Sequence, residues 1–490
     1  MNVLLINPPQ DNALPSEASV APRKGTGPYP PLGLMYLEAA LLRAGHEARV
    51  LDLSLPGTFT WPEFDGGPDL VGLGVMTPNL PGVTEVIELV RKRFPKARVM
   101  IGGPHTKLFA REAAMLDGVD YVLAGEAEER LPLVVDRLAG GEARPDVPGL
   151  LVRDGEAVHG DDGAPLPMDL DALATPVRSR TDPTRYVGFV GTKGLFTTMN
   201  SSRGCAFKCT FCSTPRGDLR YRGAESLVEE MRDCRSLGIE HVYFVDDLYP
   251  TKKHRLYPRC EALIQADLGL TWSCRTVAAG LAEESMRLMK RAGCTRIQIG
   301  AEAGTDEGLR VINKPATTAL IRETFERARR VGIETMAYFI IGLPQERTPA
   351  DAMETVAFAK SIRPTYVMFN VLTLYPGTAM YDDARKKAWS RAIRGSIRAA
   401  AVAELCRAPL ERAHGREAAF LASGPRLSLV LLEAEDSRPR TIVRRGSPRS
   451  VGTHEGRAVH AAGGRERRGL TPRAFRASSG TSSTTFPDRD

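Results

Sequence analysis

Three cysteines, Cys205, Cys209 and Cys212, lie in one short stretch at a C-x3-C-x2-C spacing. They follow an extended, β-prone run, Leu195-Phe196-Thr197-Thr198-Met199. A [4Fe–4S] cluster normally takes four protein thiolates. A loop that offers three can hold three irons and leaves the fourth open to a small chelating ligand. The alternative is a structural zinc site completed by a cysteine from elsewhere, although structural zinc loops favour paired C-x2-C spacings. Cys234, Cys260, Cys274, Cys294 and Cys406 are scattered through apolar or helical contexts. They read as small buried hydrophobes, not as a disulfide framework or a second cluster.

A scaffold must present that loop, and residues 195–385 alternate strand and helix signals. Strands are expected at 195–199, 241–245, 271–274, 296–300, 334–341 and 366–372. Helical spacing marks 224–237, 257–266, 283–292 and 318–331, and Thr348-Pro349-Ala350-Asp351 opens a further helix. Six βα units predict a partial (β/α)6 barrel, with chemistry at the strand C-termini. Those ends carry Asp246-Asp247, Ala301-Glu302-Ala303-Gly304, Gly342-Leu343-Pro344 and Tyr375-Pro376-Gly377-Thr378.

Residues 1–143 alternate in the same way. Apolar strands are expected at 3–6, 49–53, 70–77, 98–101 and 121–124, with helices at 31–44, 82–94 and 127–138. That pattern predicts a doubly wound, Rossmann-like parallel sheet, which binds ligands beyond the carboxyl ends of its strands. The loops there are Asn7-Pro8-Pro9, Thr77-Pro78-Asn79, Gly102-Gly103-Pro104-His105 and Gly125-Glu126. No G-x-G-x-x-G follows the first strand, so the dinucleotide fingerprint is missing. Residues 144–194 are broken by Pro145, Pro148, Pro165, Pro167 and Pro176 and read as a linker with a small hairpin at Asp154-Gly155.

The formal charge of +7 belongs to the tail: residues 391–490 hold 19 Arg, no Lys and 10 acidic residues. The rest of the chain is near neutral, so a nucleic-acid partner is not expected. Apart from 428–433, which carries Leu429-Val430-Leu431-Leu432 and reads as a short isolated element, 386–490 keeps no steady period. It reads as a disordered or frame-shifted segment that is not packed on the barrel. No apolar run reaches membrane-spanning length, and the N-terminus lacks a basic signal-peptide region, so a cytoplasmic protein is expected.

Over roughly residues 1–385 the chain resembles cobalamin (B12)-binding radical S-adenosylmethionine (SAM) proteins. The resemblance is carried by Ser201-Ser202-Arg203-Gly204-Cys205 through Ser213, Phe244-Val245-Asp246-Asp247, Gly300-Ala301-Glu302-Ala303-Gly304 and Phe339-Ile340-Ile341-Gly342-Leu343-Pro344. In the first domain it is carried by the opening Asn-Pro-Pro, Pro30-Pro31-Leu32-Gly33-Leu34, Gly102-Gly103-Pro104-His105 and Gly125-Glu126 with Glu128. It implies that Cys205, Cys209 and Cys212 ligate a [4Fe–4S] cluster whose open iron takes the methionine end of SAM. Reduction would then cleave the sulfonium and release a 5′-deoxyadenosyl radical. Phe211, Ile340 and Gly342 would lie along the adenine, Glu302 would meet the ribose, and Asp246 would face the amino end of SAM or the substrate. Asn7, Pro8, Thr77, Gly102, Gly103, His105, Gly125 and Glu126 would line cobalamin.

Two departures stand out. Ala206 replaces the proline usual after the first cysteine, and no D-x-H-x-x-G supplies a cobalt-ligating His. Asp52-Leu53-Ser54-Leu55-Pro56-Gly57 has the spacing, with Ser in place of His. A flavodoxin-like domain that has lost its ligand is the alternative for residues 1–143. The resemblance implies methyl transfer to an unactivated carbon of a small-molecule substrate, supported by an electron donor such as flavodoxin or ferredoxin. Cyclisation or ring rearrangement without methyl transfer, or a non-catalytic sensor, are the other readings.

Overall fold

The computed structural model describes residues 1–9, 29–57, 59–163, 169–188, 191–214 and 219–386, together with the backbone of two strands at 419–423 and 426–432. The first sheet is built from β1 (Asn2–Asn7), β2 (Glu47–Asp52), β3 (Leu70–Gly74), β4 (Arg98–Gly102), β5 (Tyr121–Leu123), β6 (Leu150–Asp154) and β7 (Ala157–Gly160). Its order is β2-β1-β3-β4-β5-β6-β7, with β1 to β5 parallel. Helices α1 (Leu32–Arg43), α2 (Leu80–Arg93), α3 (Ala110–Ala114) and α4 (Arg130–Ala139) make the crossovers. Alternate strand residues feed opposite faces. Leu4, Ile6, Val71 and Ile101 enter one core, and Val3, Leu5, Leu70 and Met100 the other. Burial on both faces is why these strands read as unbroken apolar runs. The strand order reverses between β1 and β3, which brings the loops after them side by side.

The hairpin differs from the sequence reading. It is not part of a free linker: β6 pairs antiparallel with β5 and β7 with β6, so the first sheet continues to Gly160. The three-residue β5 would otherwise be an open edge, and the apolar Leu150, Leu151 and Val152 cover it.

The second sheet starts with β8 (Phe196–Met199) and runs through β11 (His241–Phe244), β12 (Thr271–Thr276), β13 (Cys294–Glu302), β14 (Glu334–Ile341) and β15 (Tyr366–Val371), all parallel and adjacent in chain order. A separate two-residue ribbon, β9 (Ser202–Arg203) with β10 (Arg220–Tyr221), stands beside it. Helices α5 (Ala224–Ser236), α6 (Lys253–Ala266), α7 (Glu283–Arg291), α8 (Asp306–Val311), α9 (Thr318–Val331), α10 (Pro349–Ser361) and α11 (Ala379–Lys386) complete the units. The apolar face of the strands, with Val242, Phe244, Trp272, Cys274, Ile297, Ile299 and Phe339, packs against these helices. The alternate face lines the lumen of an open (β/α)6 barrel.

The tail also departs from expectation at one point. β16 (Ala419–Ser423) and β17 (Arg426–Leu432) form a hairpin, and β17 pairs antiparallel with β15 from Tyr366↔Leu432 to Asn370↔Ser428. Leu429 to Leu432 therefore belong to the barrel sheet and not to an isolated element. A bare β15 edge and an apolar run of matching length complete each other. The remainder of 387–490, including Cys406, lies outside the described residues.

One lumen residue makes a stability prediction. His241 is buried, with Nδ1 2.9 Å from Thr271 Oγ1 and Nε2 2.9 Å from Ser273 Oγ. Burial, then the Arg296 guanidinium, push its imidazole from 6.5 down to about 4. Between those values the unfolded chain binds a proton that the folded chain refuses. Stability present above pH 6.5 is thus lost as pH falls towards 4, by up to about 1.4 kcal/mol per pH unit. His241→Gln keeps the hydrogen bonds without the titration, so its urea midpoint should fall less between pH 7 and pH 5 than that of the wild type. Equal losses in both proteins would refute this.

Candidate functional site

The cysteine loop is clipped at its base. Arg203 of β9 and Arg220 of β10 face each other across the ribbon, enclosing residues 204–219. Asp246, at the end of β11, accepts from the Ser201 N–H at 2.6 Å, the Ser202 N–H at 3.1 Å and the Ser201 hydroxyl. Burial outweighs those donors and holds its carboxyl above the usual range. Asp246 thus sits at the expected strand end, but both its oxygens are spent on the chain just before the cysteines. The exposed carboxylate is Asp247, which accepts from the Gly204 N–H at 3.2 Å and the Thr214 hydroxyl at 3.4 Å. On the far side the Thr210 N–H donates to the Ile312 carbonyl at 3.0 Å, and Asn313 Nδ2 donates to the Lys208 carbonyl at 2.8 Å.

No disulfide joins the three thiols; Cys209 is buried, and Cys205 and Cys212 are half-buried. Burial pushes the Cys205 and Cys209 thiols up, and Lys314 pulls both down. The Lys314 ammonium is buried 3.0 Å from Glu302 Oε1. Burial alone would lower its pKa, but Glu302 and the thiols raise it, so it stays charged. A fixed cation beside Cys205 and Cys209 favours the thiolate forms that a ligating loop requires. The other described cysteines, Cys234, Cys260, Cys274 and Cys294, lie in the apolar core, so none of them completes a four-cysteine zinc site. Among the described residues, no three His, Cys, Asp or Glu side chains converge on a single ion. The donor set fits a three-cysteine cluster better than zinc.

Glu302 is presented by a register shift between Gly300 and Glu302 and has φ of +65°. A bulge with a left-handed non-glycine residue re-aims a side chain and stores strain, a combination concentrated at functional sites. At the end of the neighbouring strand, Gly342 has φ of +88° and its N–H donates to the buried Glu346, which also takes the Leu343 N–H at 3.1 Å. Ile340 is buried in the same strand, and Phe211 packs on the edge of the core. Cys209, Glu302 and Lys314 meet at one end of the barrel, and Ile340 and Gly342 occupy the adjoining strand end. Lys314 and Asp247 were not singled out by the sequence. Lys314 follows the short α8, and nothing in a lone loop lysine announces burial.

The first domain turns its strand ends towards this loop. Thr77 Oγ1 lies 3.1 Å from the Nδ1 of His105, a buried imidazole pushed down by burial. Gly103 has φ of +106°, and a Cβ there would fall 2.8 Å from the Val75 carbonyl. Asn7 Nδ2 donates to Asp52 at 2.7 Å and Ser54 at 3.2 Å, and Pro8 is buried. Gly102 and Gly125 end β4 and follow β5. Met76 and Leu108, 41% and 45% exposed, add apolar surface at these ends, and Leu108 lies against Gly377 of the barrel. Small residues rimmed by exposed apolar side chains fit a broad planar ligand. Glu126 has another occupation: it accepts from Arg203 at 2.9 Å and from Arg220, while Glu128 accepts from Arg203 at 2.6 Å. Burial raises the Glu126 carboxyl, but the two guanidiniums more than reverse this.

The family model of the Radical SAM superfamily matches residues 199–359, and that of the B12 binding domain matches residues 20–135. An uncharacterized methyltransferase of Pyrococcus horikoshii is 29% identical over 397 residues, covering 78% of this chain and 83% of that protein. The anaerobic magnesium-protoporphyrin IX monomethyl ester cyclase of Cereibacter sphaeroides is 26% identical, covering 73% of this chain and 61% of the enzyme. Among solved structures, the radical SAM methyltransferase TsrM of Kitasatospora setae, with cobalamin and a [4Fe–4S] cluster bound, has the same fold. Its TM-score is 0.61 at 21% identity, covering 79% of this chain and 75% of that one.

Proposed function

The chain is a cobalamin-binding radical SAM family protein, and from that premise we propose that it transfers a methyl group to an unactivated carbon of a small-molecule substrate. The observation that carries the proposal is the joining of the two domains at the cysteine loop: Glu126 and Glu128 of the first domain grip Arg203, two residues before Cys205. Methyl donor and radical source must both reach one carbon, so their binding sites must be held in register. Bound, the cluster and SAM supply a carbon-centred radical and cobalamin supplies the methyl group.

The residues divide the rest of the work. Cys205, Cys209 and Cys212 hold the cluster, and Lys314 balances their charge. Glu302 accepts from the SAM ribose, and Phe211, Ile340 and Gly342 shape the adenine slot. Asn7, Pro8, Thr77, Gly102, Gly103, His105 and Gly125 form the cobalamin floor, without a D-x-H-x-x-G histidine. Asp246 and Glu126 position the loop, and Asp247 takes the role of the exposed carboxylate facing SAM or substrate. The difficult chemistry is the cofactors' own; the chain orients them and excludes water. A flavodoxin- or ferredoxin-type protein serves as electron donor.

The cyclase relative keeps a second reading in play, ring closure without methyl transfer. Anaerobic reconstitution with the cluster, cobalamin, SAM and a reductant, followed by mass spectrometry of candidate precursors, separates the two. Methyl transfer gives a product heavier by one methylene together with S-adenosylhomocysteine. A rearranged product of unchanged carbon count supports ring closure, and absence of any product under conditions that cleave SAM would overturn both.

A further inference from the structure

Two arginines point into the barrel lumen, and only one of them is neutralised. In a parallel sheet, residues in register share a face. Trp272 and Cys274 pack outward in the core, so Ser273 and Arg275 face the lumen; Arg275 is level with Gln298, and Ser273 with Tyr243 and Arg296. Arg296 is 4% exposed, donates to Glu334 Oε2 at 2.7 Å and 3.1 Å, and lies 4.4 Å over the Tyr366 ring. Arg275 has no such partner: no carboxylate pairs with it among the described residues. Its surroundings are phenols. Nη2 donates to the Tyr243 hydroxyl at 2.8 Å, and the guanidinium lies 5.8 Å from the centre of the Tyr338 ring. Tyr29 of the first domain closes on the same group, its ring 5.7 Å from that of Tyr243.

The phenols are themselves fixed. Gln298 Oε1 accepts from the Tyr338 hydroxyl at 2.5 Å and the Tyr243 hydroxyl at 3.2 Å. With both hydroxyl protons spent on Gln298, the Tyr243 oxygen is left to accept from Arg275. That bond occupies one of five N–H donors. Tyr243 and Gln298 are buried, yet Arg275 is exposed, so the surface it keeps opens onto the lumen. Above it the lumen is lined by the half-buried Gly300, Tyr338 and Met368 and leads to Glu302 at the strand ends. A guanidinium with unused N–H donors facing an open lumen is a ready partner for an anion. The planar fork of arginine matches a carboxylate or a phosphonate bidentately.

We propose that Arg275 is a specificity-determining residue that binds an anionic group of the substrate, a carboxylate or a phosphate-type oxyanion, in the barrel lumen below the SAM site. The proposal rests on the reading of the chain as a radical SAM enzyme with a small-molecule substrate, but its test needs no turnover.

Holoenzyme carrying cluster and cobalamin is treated with phenylglyoxal, which modifies accessible arginines, and labelling is read by peptide mass spectrometry. Arg275 should label and Arg296 should not. Acetate or methylphosphonate, compared with chloride at equal ionic strength, should slow Arg275 labelling several-fold, and neutral acetamide should not. The more protective anion separates a carboxylate from a phosphonate-type group. The difference must persist with SAM bound: if SAM alone gives the full protection, the guanidinium serves the cofactor and the proposal is overturned. Labelling indifferent to every anion overturns it as well. Arg275→Gln, with wild-type iron content and circular dichroism as the check on its fold, should bind the same two anions no better than acetamide by saturation-transfer NMR. Failure of methyl transfer with anion protection intact would refute the functional reading and not this one.

Discussion

Changing Cys205, Cys209 and Cys212 together to alanine should remove the iron, the brown chromophore and all reductive cleavage of SAM, while leaving the fold in place. The separation is expected because the thiols stand on a loop held by other contacts. The β9–β10 ribbon closes its base, Asp246 secures Ser201 and Ser202, and Ile312 and Asn313 hold its middle through backbone groups of Thr210 and Lys208. None of these contacts uses a cysteine side chain. Lys314 keeps its Glu302 partner when the thiols are gone, so no buried charge is orphaned. Circular dichroism and the urea midpoint should therefore match the apo wild type within experimental error. Iron content after anaerobic reconstitution is the deciding number, and a variant that keeps the wild-type iron content refutes the assignment.

The largest expected loss of stability lies elsewhere, at Glu230. Its carboxylate, 1% exposed on α5, faces Arg178 at 2.6 Å and also pairs with Arg222. Arg178 comes from the segment between the domains and further donates to Thr197 Oγ1 at 3.2 Å and the Thr198 carbonyl at 2.8 Å on β8. Burial alone would push the Arg178 guanidinium down, but Glu230 more than compensates and raises it. One carboxylate therefore serves two buried cations. Removing it leaves both uncompensated, which should cost about 3–5 kcal/mol, a large share of the roughly 5–15 kcal/mol available to a domain. Glu230→Gln should lower the urea midpoint of the barrel followed through buried Trp272. Replacing Glu230, Arg178 and Arg222 together by apolar residues of similar volume should recover much of it, because the fault is the stranded charge and not lost packing. A Glu230→Gln midpoint equal to that of the wild type would sink this account.

The strands were legible because the physics that forms them is local. Runs such as Val3 to Ile6 and Phe339 to Ile341 are apolar because each is buried, and glycine, proline and capping residues such as Thr348 marked the ends of neighbouring elements. Cys205, Cys209 and Cys212 were legible because their spacing is itself the chemistry. Pairing between distant segments was not. The β6–β7 hairpin read as a linker, and β17 as an isolated run, since nothing in Leu150 to Asp154 or in Leu429 to Leu432 names the edge it will join. Charges were the least legible. Asp246 and Asp247 are adjacent and identical in sequence, yet one is sealed under Ser201 and the other faces solvent. Glu126 lies at the strand end expected for a cofactor contact and proves to grip arginines instead. Lys314 looks like a surface residue until the fold encloses it.

The grip of Glu126 and Glu128 on the cysteine loop bears on modularity. Arg203 and Arg220 are neighbours across the ribbon, two like charges at the root of the loop, and the carboxylates that reconcile them come from the other domain. A barrel excised from residues 1–160 would keep its three cysteines but lose the counter-ions at their base. The iron–sulfur loop is thus a joint product of two domains. A descendant that no longer bound cobalamin would still be obliged to inherit the first domain, retained for two glutamates after its ligand was gone.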